Sequence, residues 1–383
     1  MVRLSESGKK ALDRFCGTIA QEKKIPGFVF GATTADEEIY FNSGGYKGAL
    51  FWICSMTKLL AHIAALQLIE QGKLTEDTLV SKFFPEFANP VIVHDTVAPN
   101  LHTTPQRIRF YGLFYNYAAR PDKPLYSTIP HSLIAPHQKW ILKGDLPGIP
   151  IKFEPGTDFV YGYSSDVLGF VVEKVTGQTL EQYLQENIFG PLGIQGSFYM
   201  TPELTERLIT LSFRRADGGL EPWADQTTRL PERDPSKVFL HFGGIGLFTS
   251  LNDYLTLLRH ILQIYSGKLT NGILTQATVR EMFEPASNDA GMRSLDLYMN
   301  SQPGNRWSTA LAICGTDWPR GDEKELHSVS FVSWSGWAGT YYFMDASTGI
   351  AAVFGTQIVP SRDPEVLKCY VEFEETLYSS LEK

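Results

Sequence analysis

Ser55-Met56-Thr57-Lys58 stands at the head of the apolar run Leu59-Leu60-Ala61-His62-Ile63-Ala64-Ala65-Leu66-Gln67-Leu68-Ile69. On a helix, residues three apart share a face, so Ser55 and Lys58 project together while the helix behind them is buried. A lysine amine against apolar walls loses the solvation that favours its charged form. Its pKa falls, and it can accept or relay the serine proton. The same spacing recurs at Ser7-Gly8-Lys9-Lys10, in a polar stretch that reads as a solvated helix start. An N-cap serine is the plainer reading of Ser55, and two further motifs decide against it.

The 383 residues suffice for one large domain or two intimately packed ones. Hydrophobic residues at 43% and charged residues at 20% are ordinary globular values, and no repeat period appears. A net charge of -8 without a Lys/Arg cluster excludes a nucleic-acid or anionic-membrane surface. No run reaches the roughly 18 apolar residues of a membrane span, and Met1 to Lys10 lacks the apolar segment of a secretory signal; a cytoplasmic location is expected. Cys16, Cys54, Cys314 and Cys369 are widely spaced, which indicates neither a zinc site nor a disulfide framework. Cys54, beside the serine, reads as a small buried packing residue rather than a reactive thiol.

An opening helix over Gly8 to Ala20 precedes two short strands, 27–32 and 38–41, that pair as a hairpin. Near the other end, 340–344 and 350–355 flank the turn Asp345-Ala346-Ser347-Thr348-Gly349, a second hairpin, and an amphipathic helix over 366–378 follows. Both ends therefore build one α/β layer, with 1–80 and 300–383 as a discontinuous sheet subdomain. The middle, 81–299, reads as a mainly helical subdomain with long loops. Its helices run from Asp166 to Val175, from Thr179 to Ile188 behind a Thr-x-x-Gln capping box, and from Ser250 to Tyr265 behind Ser-x-x-Asp. Pro90 to Pro150 reads as long surface loops, in which Phe110, Tyr111, Phe114, Tyr115 and Tyr117 are assigned to packing before an acyl pocket.

The second motif is Tyr161-Gly162-Tyr163-Ser164-Ser165-Asp166, a turn feeding a helix. A tyrosine there, beside the Lys58 cation, would exchange protons with Ser55 and with an alcohol; Tyr161 and Tyr163 compete for the role. The third is Ser333-Trp334-Ser335-Gly336-Trp337-Ala338-Gly339 on an edge strand, where Gly336 lets a ligand approach the backbone. An N–H near Trp337 and the N–H of Ser55 would make a two-donor oxyanion hole, with Trp334 and Trp337 lining the acyl site. His62, His241 and His327 lack an acidic partner nearby in sequence, so a Ser-His-Asp triad is unsupported.

In this order, the three motifs resemble those of the serine β-lactamase and penicillin-binding protein superfamily, most closely its class C-like esterases and lovastatin-type fungal acyltransferases. Tyr161-Gly162 with Asp166 matches the Tyr-Gly-x-x-x-Asp run of those acyltransferases, which selects Tyr161 over Tyr163. The stretches 180–188 and 191–194, and Phe242-Gly243-Gly244 with Gly246, are similar as scaffold. The resemblance implies an α/β (α+β) transpeptidase-like fold: a five-stranded antiparallel sheet flanked by helices, an all-helical subdomain and a catalytic cleft between them. It implies acylation of Ser55 with Lys58 and Tyr161 as the proton-transfer pair, and no metal or organic cofactor.

Two departures bear on substrate. Arg109 to Ala119 replaces the Arg-His-Leu-Leu helix and His-Thr-Ser-Gly turn of many relatives, so the cleft wall is rebuilt. Trp334-Ser335-Gly336 replaces the Lys-Thr-Gly of true β-lactamases, removing the cation that would grip a β-lactam carboxylate. The leading expectation is a serine acyltransferase of secondary metabolism. It would take an acyl group from a small ester or thioester, including one held on a carrier protein, and pass it to a small-molecule acceptor. An esterase with the same site is the alternative, and a non-catalytic binding module the second.

Overall fold

The structure is a computed structural model, and it describes residues 2–46, 48–93, 101–103, 150–223, 233–238, 240–299, 304–314 and 331–382. Alternation of side chains about the pleat organises the sheet. In β1 (Phe28–Thr34), Phe28, Phe30 and Ala32 enter one core while Val29 enters the other, so both faces of the strand are buried. On the first face Phe30 stacks on Phe354 with ring centroids 4.8 Å apart and meets Phe373, joining the sheet to helices α1 (Glu6–Glu22) and α6 (Pro364–Ser379). The opposite face carries helix α4 (Leu251–Tyr265), whose Leu251 and Leu255 lie directly over Gly355 and Gly31. Any side chain at those glycines would meet the helix.

The sheet runs β3 (Arg306–Trp307), β4 (Ala312–Ile313), β5 (Phe331–Gly336), β6 (Thr340–Asp345), β7 (Ile350–Gly355), β1, β2 (Glu38–Gly44), antiparallel throughout. The chain thus has the α/β class read from sequence, with seven strands in place of five. The two extra strands are two residues each, too short to carry a period, and they pair beyond β5, which therefore lies third in the sheet and not at the edge expected for 333–339. Helix α4, although it falls inside 81–299, lies on the sheet.

The buried helix α2 (Thr57–Glu70) runs behind α3 (Ser164–Thr176), and every residue from Thr57 to Leu68 is shielded from solvent. Apolar over most of its circumference and buried all round, with Lys58, His62 and Gln67 hydrogen-bonded inside, it is an interior helix. Val91–Val93, Leu101–Thr103 and Pro150–Ile151 pair as a small separate sheet, so the ends of the expected loop region are strands. Phe110 to Tyr117, the Arg109 to Ala119 wall and His327 lie outside the described residues. Among the described residues no helix is long and apolar enough to cross a membrane.

Candidate active site

Ser55 does not lie in α2 itself. It occupies a 3-10 turn, Cys54–Met56, that feeds the helix, and Cys54 before it has φ of +49°, a conformation that non-glycine residues rarely adopt. Hydrogen bonds from three directions hold this turn. Leu247 N donates to Thr57 Oγ1 at 3.1 Å and Thr57 Oγ1 to Cys54 O at 2.6 Å, while Ile53 N donates to Leu247 O at 3.1 Å. The Gln357 amide closes on both backbone groups of Trp52, accepting from its N–H at 3.2 Å and donating to its carbonyl at 3.3 Å. Tyr254 of α4 donates to Met56 O at 3.1 Å. So many fixed neighbours keep an unfavourable backbone angle in place.

Gly336 brings the third motif against this turn. A Cβ there would lie 2.5 Å from Ile53 O and 2.2 Å from Thr340 Oγ1, so only glycine lets the end of β5 reach the segment that carries Ser55. The N–H of Ser55 has no hydrogen-bond partner among the described residues. The backbone N–H groups of Ala338 and Trp337 come near this turn as well, close enough to favour the thiolate form of Cys54. Burial nevertheless pushes that thiol up to about 12, so Cys54 remains a neutral packing group.

The side chains converge on one oxygen. Lys58 Nζ donates to Ser55 Oγ at 3.3 Å and to Gly244 O at 2.8 Å, and the Tyr161 hydroxyl lies 2.5 Å from Ser55 Oγ. Lys58 also sits 4.7 Å from the Tyr161 ring centroid, near enough for the ring face to favour its cation. Burial pulls the Lys58 amine down to about 8, opposed by the charge of Asp166 and by Cys54. An amine lowered to about 8 gives up its proton far more readily than an ordinary lysine, which suits it to exchange a proton with the neighbouring serine hydroxyl. Tyr163, the alternative tyrosine, caps α3, and burial raises its hydroxyl to about 12.

The two tryptophans part company. The Trp334 ring is 5.5 Å from Tyr161 and 4.8 Å from Trp307, inside a cluster with Tyr298, which stacks on Tyr161 at 4.8 Å. Trp337 instead packs between Trp52 and Trp223. Only Trp334 of the pair flanks the tyrosine. The histidines serve elsewhere: His62 Nε2 meets Ser165 Oγ at 3.1 Å and its Nδ1 meets Thr309 O at 2.9 Å, and burial lowers it to about 4. His241 does have an acidic partner, Glu173 at 2.8 Å, but its other nitrogen meets Tyr199 and not a serine.

Gly244 and Tyr298 are the residues the sequence reading missed. The Phe242-Gly243-Gly244 loop threads between α2 and α3, where a Cβ on Gly243 would strike Ser165 O at 2.6 Å and Ala61 at 2.9 Å. The glycine pair was the available signal. Tyr298, on helix α5 (Asp289–Met299), offered none.

This geometry accompanies a match to the family described as Beta-lactamase over residues 12–98 and 131–371. The chain belongs to the β-lactamase family. It is 28% identical to the monacolin J acid methylbutanoyltransferase of Aspergillus terreus (strain NIH 2624 / FGSC A1156), an alignment covering 86% of this chain and 82% of that protein. It is 30% identical to the lovastatin esterase of Penicillium rubens, over 68% of this chain and 69% of the other. Its fold matches unliganded simvastatin synthase from Aspergillus terreus with a TM-score of 0.80 and 23% identity, covering 98% of this chain and 99% of that one. In this β-lactamase-family chain, then, the lysine and the tyrosine meet at one serine oxygen, and Gly336 of β5 lies against the turn that carries it.

Proposed function

We propose that the protein is a serine acyltransferase of small-molecule secondary metabolism. The observation that carries this reading is the meeting of Lys58 Nζ and Tyr161 Oη at Ser55 Oγ in a buried site. Ser55 Oγ attacks the carbonyl carbon of an ester or thioester as its proton passes to Lys58. The carbonyl oxygen becomes an oxyanion facing the open Ser55 N–H, and the C–O or C–S bond to the leaving group breaks as Tyr161 protonates that group. Lys58 keeps the serine proton while Tyr161 is left as the phenolate. An acceptor hydroxyl next gives its proton to that phenolate as it attacks the acyl carbon, and Ser55 Oγ leaves with the proton held on Lys58, which restores all three groups. The donor class includes an acyl chain on a carrier protein.

Hydrolysis by the same site is the second reading, and it is favoured by the relative named an esterase. The two differ only in whether water or an alcohol takes the acyl group. Intact mass measured during incubation with acyl thioesters and activated esters separates them. An adduct on Ser55 that decays faster with added alcohol, with ester formed, supports the transferase; decay indifferent to alcohol makes the protein an esterase. No adduct with any donor, and none with a fluorophosphonate, overturns the covalent mechanism.

A further inference from the structure

Behind the reacting groups, a buried carboxylate holds the site together. Asp166 is 1% exposed and lies in the first turn of α3, five residues after Tyr161. Its Oδ1 accepts the Gly244 N–H at 2.9 Å, and the carbonyl of that same residue accepts Lys58 Nζ at 2.8 Å. Gly244 is therefore clasped at both backbone groups, by the carboxylate on one side and the ammonium on the other. The neighbouring residue Ser165 meets His62 of α2 at 3.1 Å, so one turn of α3 fastens both the helix that carries Lys58 and the loop that receives it.

We propose that Asp166 is a positioning residue which, through Gly244, fixes the Lys58 amine behind Ser55 and sets the pH at which that amine gives up its proton. This rests on the mechanism above. The other groups around Lys58 cannot supply the charge. His62 is neutral above about pH 4, and burial holds the Cys54 thiol and the Tyr163 hydroxyl in their neutral forms to about 12. Tyr298, which reaches the site through the Tyr161 ring, is also held protonated by burial. Among the described residues Asp166 is left as the anion acting on Lys58, and an anion near an amine raises its pKa against the opposing effect of burial.

The test is the rate of fluorophosphonate labelling of Ser55 as a function of pH, with full-length wild type, Asp166→Asn and Asp166→Glu, each checked by its melting transition. Wild-type labelling rises with pH through a limb near 8 as Lys58 becomes neutral. Asp166→Asn keeps an oxygen for the Gly244 N–H but loses the charge, so its limb moves about 1–3 pH units lower. A merely structural role would lower the melting temperature and leave the limb in place, which overturns the proposal while wild-type labelling upholds the mechanism. Absence of wild-type labelling overturns the mechanism itself. Should Asp166→Asn fail to fold, Asp166→Glu carries the test. With charge kept and carboxylate displaced, its limb stays within about half a unit of wild type while its plateau falls about tenfold; a wild-type plateau, or a limb shifted by a unit or more, overturns the proposal.

Discussion

Ser7 to Lys10 and Ser55 to Lys58 carry the same four-residue spacing, and the fold treats them as opposites. In the first, Ser7 and Lys10 are exposed on α1, and Ser7 does no more than approach Ser5, the N-cap, at 3.2 Å. The residue that matters there is Gly8, whose missing side chain lets the helix start against Ser380. In the second copy the outer residues matter, because both are buried and a tyrosine, a backbone carbonyl and a carboxylate surround them. Spacing places two side chains on one face; on the proposed mechanism, the low-dielectric surroundings are what suit them to act as nucleophile and base.

The largest contrast is at the serines. Ser55→Ala is expected to lower the rate of acyl transfer by at least about 10³-fold, because it removes the atom on which the acyl group is carried. Ser7→Ala leaves the rate unchanged. Equal activity of the two variants on an activated ester, with no adduct at residue 55 in wild type, would break the comparison.

The next contrast is at the glycines, and it separates function from stability. In Gly336→Ala the new methyl meets backbone at Ile53, so the end of β5 must retreat from the turn that carries Ser55. A displacement near 1 Å is expected to cost about 10²-fold in turnover as well as stability. In Gly8→Ala the methyl would lie 2.4 Å from Ser380 Cβ and 2.8 Å from its Cα, far from Ser55. That strain costs about 1–3 kcal/mol in denaturant unfolding, with turnover per folded molecule unchanged.

What the sequence disclosed follows the same division. Elements with local signals were legible: the Thr179–Gln182 capping box forms as read, Ser250 caps α4, and the alternation through 340–344 and 350–355 predicts the central hairpin. Features made by backbone were not. Gly244 contributes a carbonyl to Lys58, and a carbonyl has no residue type to betray it. The left-handed angle at Cys54 is imposed by neighbours distant in sequence, such as Leu247 and Gln357. Trp334 and Trp337 lie three residues apart in sequence, but one is on the strand and the other in the turn, and their rings join different clusters. Strands β3 and β4, two residues each, are defined only by their pairing with each other and with β5.

The smallest effect is at the lysines, and its sign runs against intuition. Burial lowers Lys58 from an ordinary 10.5 to about 8, a difference worth about 3 kcal/mol between its charged and neutral forms. Because the folded value is the lower one, the unfolded chain binds more proton between pH 8 and 10.5. Wild-type stability therefore rises with pH across that window, and the penalty is fully present below it. Lys58→Met removes the penalty but leaves Gly244 O without this donor, a loss of about 1–2 kcal/mol. At pH 7 the inactive variant should thus melt a few degrees above wild type, and the gap should close as pH approaches 10.5. Lys10→Met, on the exposed copy, should leave the melting temperature at pH 7 unchanged within about a degree. A Lys58→Met variant no more stable than wild type at pH 7 would mean that Asp166 and Gly244 already offset the burial of the charge. The second copy would then owe its chemistry to the positions of its groups more than to the dryness of the site.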